Sequence, residues 1–594
     1  MNGRSAAPTR DSHGEDNGAR SRRAMLAATA GLTVSAAGCL RLRDIVVPDN
    51  IDQLSLTITT IPADANRQNI QIARQLEKTL KAVGIDVSLD VRSKIDFRRT
   101  VLYDHDFDIC IGRHPGGTDP DFLYEALYSR YADESGWQNP FGFTNLDIDE
   151  LLKEQRNSEG KARREAVTAV LEEIATQQPF VPICLPEEHR VARADRFDGW
   201  NEGHPATRHG YLALEPSAGV DTLRVGHTDA RPTENLNPIA PDYRHSGLIT
   251  DLLYDSIATQ NGTGEIQPWL AESYDWDDGA FDIRLREGCE FHDGEPVTAE
   301  DVAFTYRFLQ DTSMGSHDTP SPTPRYRGHV DAVDVDSISI RNDDHRVELP
   351  IETTQTVGER ALLVPILPAH IWREYATEIA GPGGPSVAQG TTEGIVTNNI
   401  PPIGSGPLQF ESRTEGDQLL LERFESHFTR RPGVELPSLT VDECPIVVHP
   451  SSTTVAGVVQ NDGADITSLP LDAHAIDGVE ESGDVEVFES PSWSFCFLGF
   501  NTRKAPFSNP LFRQIIARLV DKETLCDEVF DGHARPIATP VTDKWVPESL
   551  EWDGRDPKMP FLGTDGEVDV EAAKIAFEDA GFRYDDQGRL RTRQ

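Results

Sequence analysis

Residues 54–91 read as one strand–helix–strand unit, and no other stretch limits the fold as much. Residues 54–60 (LSLTITT) alternate apolar and polar side chains and include β-branched ones, the pattern of a half-buried strand. In residues 66–83, Ile70, Ile72, Leu76, Leu80 and Val83 fall on one face of an amphipathic helix. Gly84 ends that helix, and residues 85–91 return as a strand. A β-α-β unit places the chain in the α/β class. Further along, residues 107–112 (FDICIG) form a short apolar strand, with a loop at Gly116-Gly117. Residues 146–155 and 163–178 carry helical patterns, and residues 180–185 read as another strand. At 594 residues the chain exceeds what one core serves, so two or three domains are expected.

The formal net charge is −43, from 99 acidic and 56 basic residues spread along the whole chain. No lysine occurs between Lys161 and Lys504. Such a surface resembles that of extreme halophiles. In molar salt the Debye length is only about 3 Å, so self-repulsion is screened. In dilute buffer the same charge destabilises the compact state. Nucleic acid is excluded as a partner, because phosphate recognition needs clustered Lys and Arg.

The first 39 residues read as an export signal. Ser21-Arg22-Arg23 supplies a twin-arginine pair, and a mildly apolar run over 24–37 follows it. That run is too short and too weakly apolar to span about 30 Å of hydrocarbon. It ends Ala36-Ala37-Gly38-Cys39, similar to a lipobox, with Cys39 as the lipidated residue. Residues 40–52 then form a tether. Six further cysteines, at 110, 184, 289, 444, 496 and 526, include no C-x-x-C pair, so zinc and thioredoxin-like readings lack support. Their apolar settings point to buried free thiols, although export permits disulfides.

Residues 271–304 (AESYDWDDGAFDIRLREGCEFHDGEPVTAEDVAF) give a strand at 282–285 and a turn at His292-Asp293-Gly294. Thr298 follows as an N-cap, with acids in the first turn of its helix. This block resembles the signature of extracellular solute-binding protein family 5, the peptide/nickel binding proteins of ABC transporters. Similar motifs follow in family order at 367–372 (LPAHIW), 402–407 (PIGSGP), 463–466 (GADI), 498–501 (LGFN), 506–513 (PFSNPLFR) and 532–536 (GHARP). Residues 569–581 (DVEAAKIAFEDAG) resemble the helix near the middle of that family's second lobe. The piece expected next stands instead near the N-terminus, from Leu54 onward. The chain therefore resembles a circular permutant of a halophilic archaeal type. Two halves completing each other between molecules is the rival account.

The resemblance implies a two-lobed, type II periplasmic-binding-protein-like α/β fold with an extra subdomain. Residues 53–196 would be the C-terminal part of lobe two, and 197–220 a crossing segment and linker. Residues 221–490 would be lobe one, and 491–594 the N-terminal part of lobe two. Residues 584–594 (YDDQGRLRTRQ) are polar and read as a loop, near the cut that permutation requires.

The resemblance also nominates ligand contacts. Asp119 and Asp121, in the loop Gly117-Thr-Asp-Pro-Asp-Phe-Leu123, are candidates for a ligand's cationic amino group, or else caps of a Pro-containing turn. Arg113 is a candidate for a ligand carboxylate. Trp493 and Phe495, at the entry to lobe two, are candidates for aromatic cleft lining. Asn501 is expected to fix a turn near the hinge, and Asn237 and Tyr254 to face the cleft. His114, His204, His209 and His292 show no metalloprotease spacing, and no nucleophile elbow or phosphate loop is present. The expected protein is thus not an enzyme and needs no cofactor or metal. It would be a lipid-anchored monomer outside the cytoplasmic membrane that captures a peptide or other small solute for ABC permease subunits. The alternative is a solute sensor for a signalling or chemotaxis partner.

Overall fold

The computed structural model describes residues 52–200, 207–241, 247–318, 320–341, 345–376, 392–479, 483–490 and 492–591. The export segment, Cys39, the tether through Ile51 and His204 lie outside them. Two mixed sheets organise the described residues. The first runs Asp86–Val91, Ser55–Thr60, Ile109–His114, Phe495–Phe500, Phe180–Pro186, Ala534–Pro536. The second runs Leu408–Thr414, Gln418–Arg423, Glu443–Val448, Val225–His227, Ile466–Thr467, Glu188–Arg193, Val485–Ser490. A four-stranded antiparallel sheet over 271–350 forms a further layer beside the second.

The strand–helix–strand unit forms at the edge of the first sheet. Ser55–Thr60 pairs in parallel with Asp86–Val91 and with Ile109–His114. Between them the helix Arg67–Ala82 is capped by Asn66, whose side chain accepts from the Asn69 amide at 2.8 Å. Its apolar face, including Ile72, Leu76 and Leu80, is buried against the sheet. Gly84 follows with φ +87°, and a Cβ there would lie 2.2 Å from the Gly588 carbonyl oxygen. Only glycine accepts both the left-handed conformation and that approach.

The chain end that crowds Gly84 is not the free loop expected. Tyr584 and Leu590 form a bridge around a turn in which Asp585 accepts from the Gln587 and Arg589 amides. Leu590 is fully buried; its amide donates to Gly84 O and its carbonyl accepts from the Leu54 amide, both at 2.8 Å. One apolar residue in a polar run is enough to anchor it, because a Leu side chain gains about 1.5–3 kcal/mol on burial. The helix Val570–Asp579 buries Ala573 and Phe577 in the same core, next to Phe512.

Each sheet contains one strand that has just arrived from the other, and each such strand runs antiparallel. Val485–Ser490 leads to Phe495–Phe500, antiparallel to Ile109–His114. Phe180–Pro186 leads to Glu188–Arg193, antiparallel to Val485–Ser490. The two crossings lie side by side, flanked by the pairs Ser490↔Glu188 and Cys496↔Cys184. The molecule is therefore two-lobed, with separate cores joined by a pair of strands.

The return crossing falls at Pro186–Glu188 rather than within residues 197–220. Residues 197–200 and 207–220 instead pack on the second sheet's core through Phe197, Tyr211 and Leu214, and Phe197–Asp198 pairs with Glu215–Pro216. Residues 180–193 are nearly all buried, so no change of periodicity marks the crossing. The capping box at Thr298 forms as expected, opening the helix Ala299–Gln310. The six cysteines beyond Cys39 are buried free thiols.

Candidate functional site

A cavity of about 760 Å³ opens between the lobes beside the crossing strands. From the first lobe's sheet and its loops it is lined by His114, Asp119, Phe122, Trp137 and Trp493. From the second come Glu188, Arg190, Arg208, Asp251 and Arg325, with Glu359 and Arg360 from the layer beyond. Strand alternation aims Glu188 and Arg190 to the same side. Both are buried, and they are tied to the crossings: Arg190 donates to Glu188 Oε2 at 3.1 Å and to Ser490 Oγ at 2.9 Å. Ser492 Oγ donates to Glu188 Oε1 at 3.1 Å.

Asp119 and Trp493, two of the expected contacts, line this cavity. Asp119 is held by Arg163 through two hydrogen bonds of 2.9 and 2.6 Å, and its own carboxylate accepts from the Asp121 amide. The Trp493 carbonyl accepts from Gly117 N, which joins the crossing to the Asp119 loop. A Cβ on Gly116 would lie 2.0 Å from that carbonyl, so this contact requires glycine. Arg113 lines a smaller adjoining cavity of about 160 Å³ instead.

The remaining five candidates lie off the cavity. Asp121 is buried and meets Arg156 at 2.9 Å, Arg360 at 2.6 Å and Gln155 at 2.7 Å. Burial pushes its carboxyl up, but Arg156 and Arg360 outweigh that and hold it at about 2. Phe495 is buried in the first lobe, stacked on His114 at 5.1 Å. Burial pushes His114 down to about 3. The Asn501 side chain donates to the His105 and Phe107 carbonyls, so it fixes the loop before Ile109–His114. Asn237 donates to Gly394 O and Thr397 O, and Tyr254 Oη accepts from Asn399 at 2.7 Å.

Several cavity groups were not read from the sequence. Arg208 is buried; its Nε donates to Asp251 O and one Nη to Tyr254 O, while Nη1 has no partner among the described residues. Asp251 is raised by burial, only partly offset by Arg208 and Arg325. Glu359 is raised by burial as well. The cavity thus carries both signs of charge, with acids that lack full compensation and one unused guanidinium donor.

The model for bacterial extracellular solute-binding proteins, family 5 middle region, matches residues 265–594, more than half of the chain. The chain belongs to solute-binding protein family 5. Among its relatives, the oligopeptide-binding protein AppA of Bacillus subtilis is 25% identical over 342 residues, 56% of this chain and 55% of that one. Heme-binding protein A of Haemophilus influenzae is 24% identical over 55% of this chain and 56% of that one. The chain spans about half the length of the curated relatives it matches. Solved structures similar to it include AppA of Bacillus subtilis with a nonapeptide (TM-score 0.44, 19% identity, 61% of this chain and 65% of that one). Another is NikZ of Campylobacter jejuni with Ni(L-His) (TM-score 0.42, 15% identity, 63% and 65%).

Family 5 solute-binding proteins are solute carriers and not enzymes. Among the described residues no helix is long and apolar enough to cross a membrane. Glu188 and Arg190 carried a partial signal: two charges at alternate positions of one strand, which face the same side. Arg208 and Asp251 carried none, because their places depend on helix packing across the second lobe.

Proposed function

We propose that this family 5 protein captures a small solute bearing both charge signs, a short peptide foremost, and delivers it to an ABC importer. The observation that carries this reading is the lining of the cavity. Both lobes contribute to it, it combines acids with the unused Arg208 Nη1, and about 760 Å³ lies within the range of small-molecule sites. Trp493 and Asp119 meet the solute from one lobe, and Arg208 and Asp251 from the other. The relatives named for oligopeptides and dipeptides favour the peptide class.

The protein works outside the cytoplasmic membrane, exported by its twin-arginine segment and lipidated at Cys39. One chain supplies both lobes as a circular permutant and acts as a monomer. Support comes from the first sheet, which draws on residues 55–186 and 495–536 of the same chain, and from the backbone bonds that join Leu590 to Leu54 and Gly84.

The test is thermal unfolding and calorimetric titration with a library of short peptides in molar KCl. A subset of peptides raises the melting temperature, and Trp493→Ala weakens their binding by about tenfold or more, the effect expected of a buried aromatic anchor. Equal affinity in wild type and Trp493→Ala would remove the cavity from the account.

A further inference from the structure

The side of the return crossing that faces away from the solute cavity carries a second constellation. Glu188 and Arg190 line the solute cavity, and Glu187 and His189 alternate with them. His533, in the turn before Ala534–Pro536, meets these two residues. Its backbone carbonyl accepts from the Glu187 amide at 3.0 Å, which fixes the two segments together. Glu187 Oε2 lies 3.2 Å from His533 Nδ1 and 3.9 Å from His189 Nε2, and the imidazole centroids are 5.0 Å apart. One donor atom from each residue lies within 4.8 Å of the other two.

His189 is the informative member. It is 7% exposed, and its Nδ1 is buried with no hydrogen-bond partner among the described residues. Its Nε2 contact to Glu187 is too long for a hydrogen bond. It is Nε2 that faces Glu187, and that nitrogen has no hydrogen-bond partner among the described residues, so its lone pair is open to an ion. For metal–ligand bonds of about 2.0–2.2 Å, tetrahedral donors sit about 3.4 Å apart. The two Glu187 separations bracket that value and no donor pair exceeds 4.8 Å, so side-chain rotation brings the three donors to it.

We propose that Glu187, His189 and His533 form a binding site for a divalent transition ion of the zinc class, with a fourth position left to water. Two imidazoles and a carboxylate are the donor set such ions take. Glu187 and His533 belong to the paired segments at the margin of the first sheet, and His189 to a strand of the second. A bound ion therefore bridges the crossing and holds one angle between the lobes. That consequence rests on the receptor reading above; the site itself does not.

The experiment is a competition titration of the metal-stripped full chain with Zn²⁺ in molar potassium nitrate, which avoids chloride complexes. A Co²⁺ absorption spectrum reports the coordination number. Wild type takes up one ion per chain and gives a four-coordinate Co²⁺ spectrum. Loss of a mere supporting partner costs roughly 10–100-fold in metal affinity, so His189→Ala or His533→Ala weakens Zn²⁺ at least that much. Glu187→Gln and His533→Ala alter partly exposed side chains, so they keep the test open if His189→Ala does not fold. No Zn²⁺ uptake, or equal affinity in wild type and the His189→Ala/His533→Ala double variant, overturns the site. Peptide affinity measured on the same samples separates failure of this site from failure of the receptor reading.

Discussion

Asp119 and Asp121 sit two residues apart in one loop, and their environments give them different work. Asp119 lines the cavity with Arg163 behind it. Asp121 is enclosed by Arg156, Arg360 and Gln155, and Arg156 stacks on Tyr124 at 3.9 Å. Asp121→Ala takes the carboxylate from the buried Arg156 and the half-buried Arg360, so it lowers stability by about 3–5 kcal/mol in denaturant unfolding. Its carboxyl is depressed in the folded state. Its contribution is therefore complete above the unfolded value near 4 and is lost as pH falls toward about 2. Wild type should lose stability over that window faster than Asp121→Asn. The sequence displayed both acids in one motif but not which of them would be enclosed. That depends on Arg360, which lies 239 positions along the chain. Asn237 and Tyr254 were expected in the cleft; instead Asn237 donates to the Gly394 carbonyl and Tyr254 accepts from the Asn399 side chain, partners no local pattern reveals.

Elements with strong local signals are the ones the sequence placed well. The strand–helix–strand unit at 55–91, the capping box at Thr298 and the helix Val570–Asp579 are each set by spacing and caps within a few residues. The crossing at Pro186–Glu188 was misplaced because buried strands on both sides of it erase the polar interruption that marks a boundary. The C-terminal turn was read as a loop because Leu590 alone signals its burial. Leu590→Ala removes a fully buried side chain beside Leu54 and Gly84, and should cost about 2–5 kcal/mol in thermal or denaturant unfolding. An unchanged midpoint would mean the chain end is not knitted to the first sheet in solution.

For the molecule as a whole, the central claim is that one chain supplies both lobes and closes on a solute. The acidic surface, at a net charge of −43, sets the conditions for any test, since repulsion between like charges is screened only in concentrated salt. Two strands side by side join the lobes, and closure of one lobe on the other about them is the motion the proposed function requires. The fold class and the family were legible because many motifs recur in order along the chain. The cavity was not legible, because its walls come from segments hundreds of residues apart. The measurement that tests the claim most directly is small-angle X-ray scattering in molar KCl, with and without a peptide that raises the melting temperature. The account predicts a scattering mass of one 65.7 kDa chain, less whatever processing removes, and a radius of gyration that contracts on binding. An obligate dimer, or a bound protein with the same radius as the free one, would contradict it.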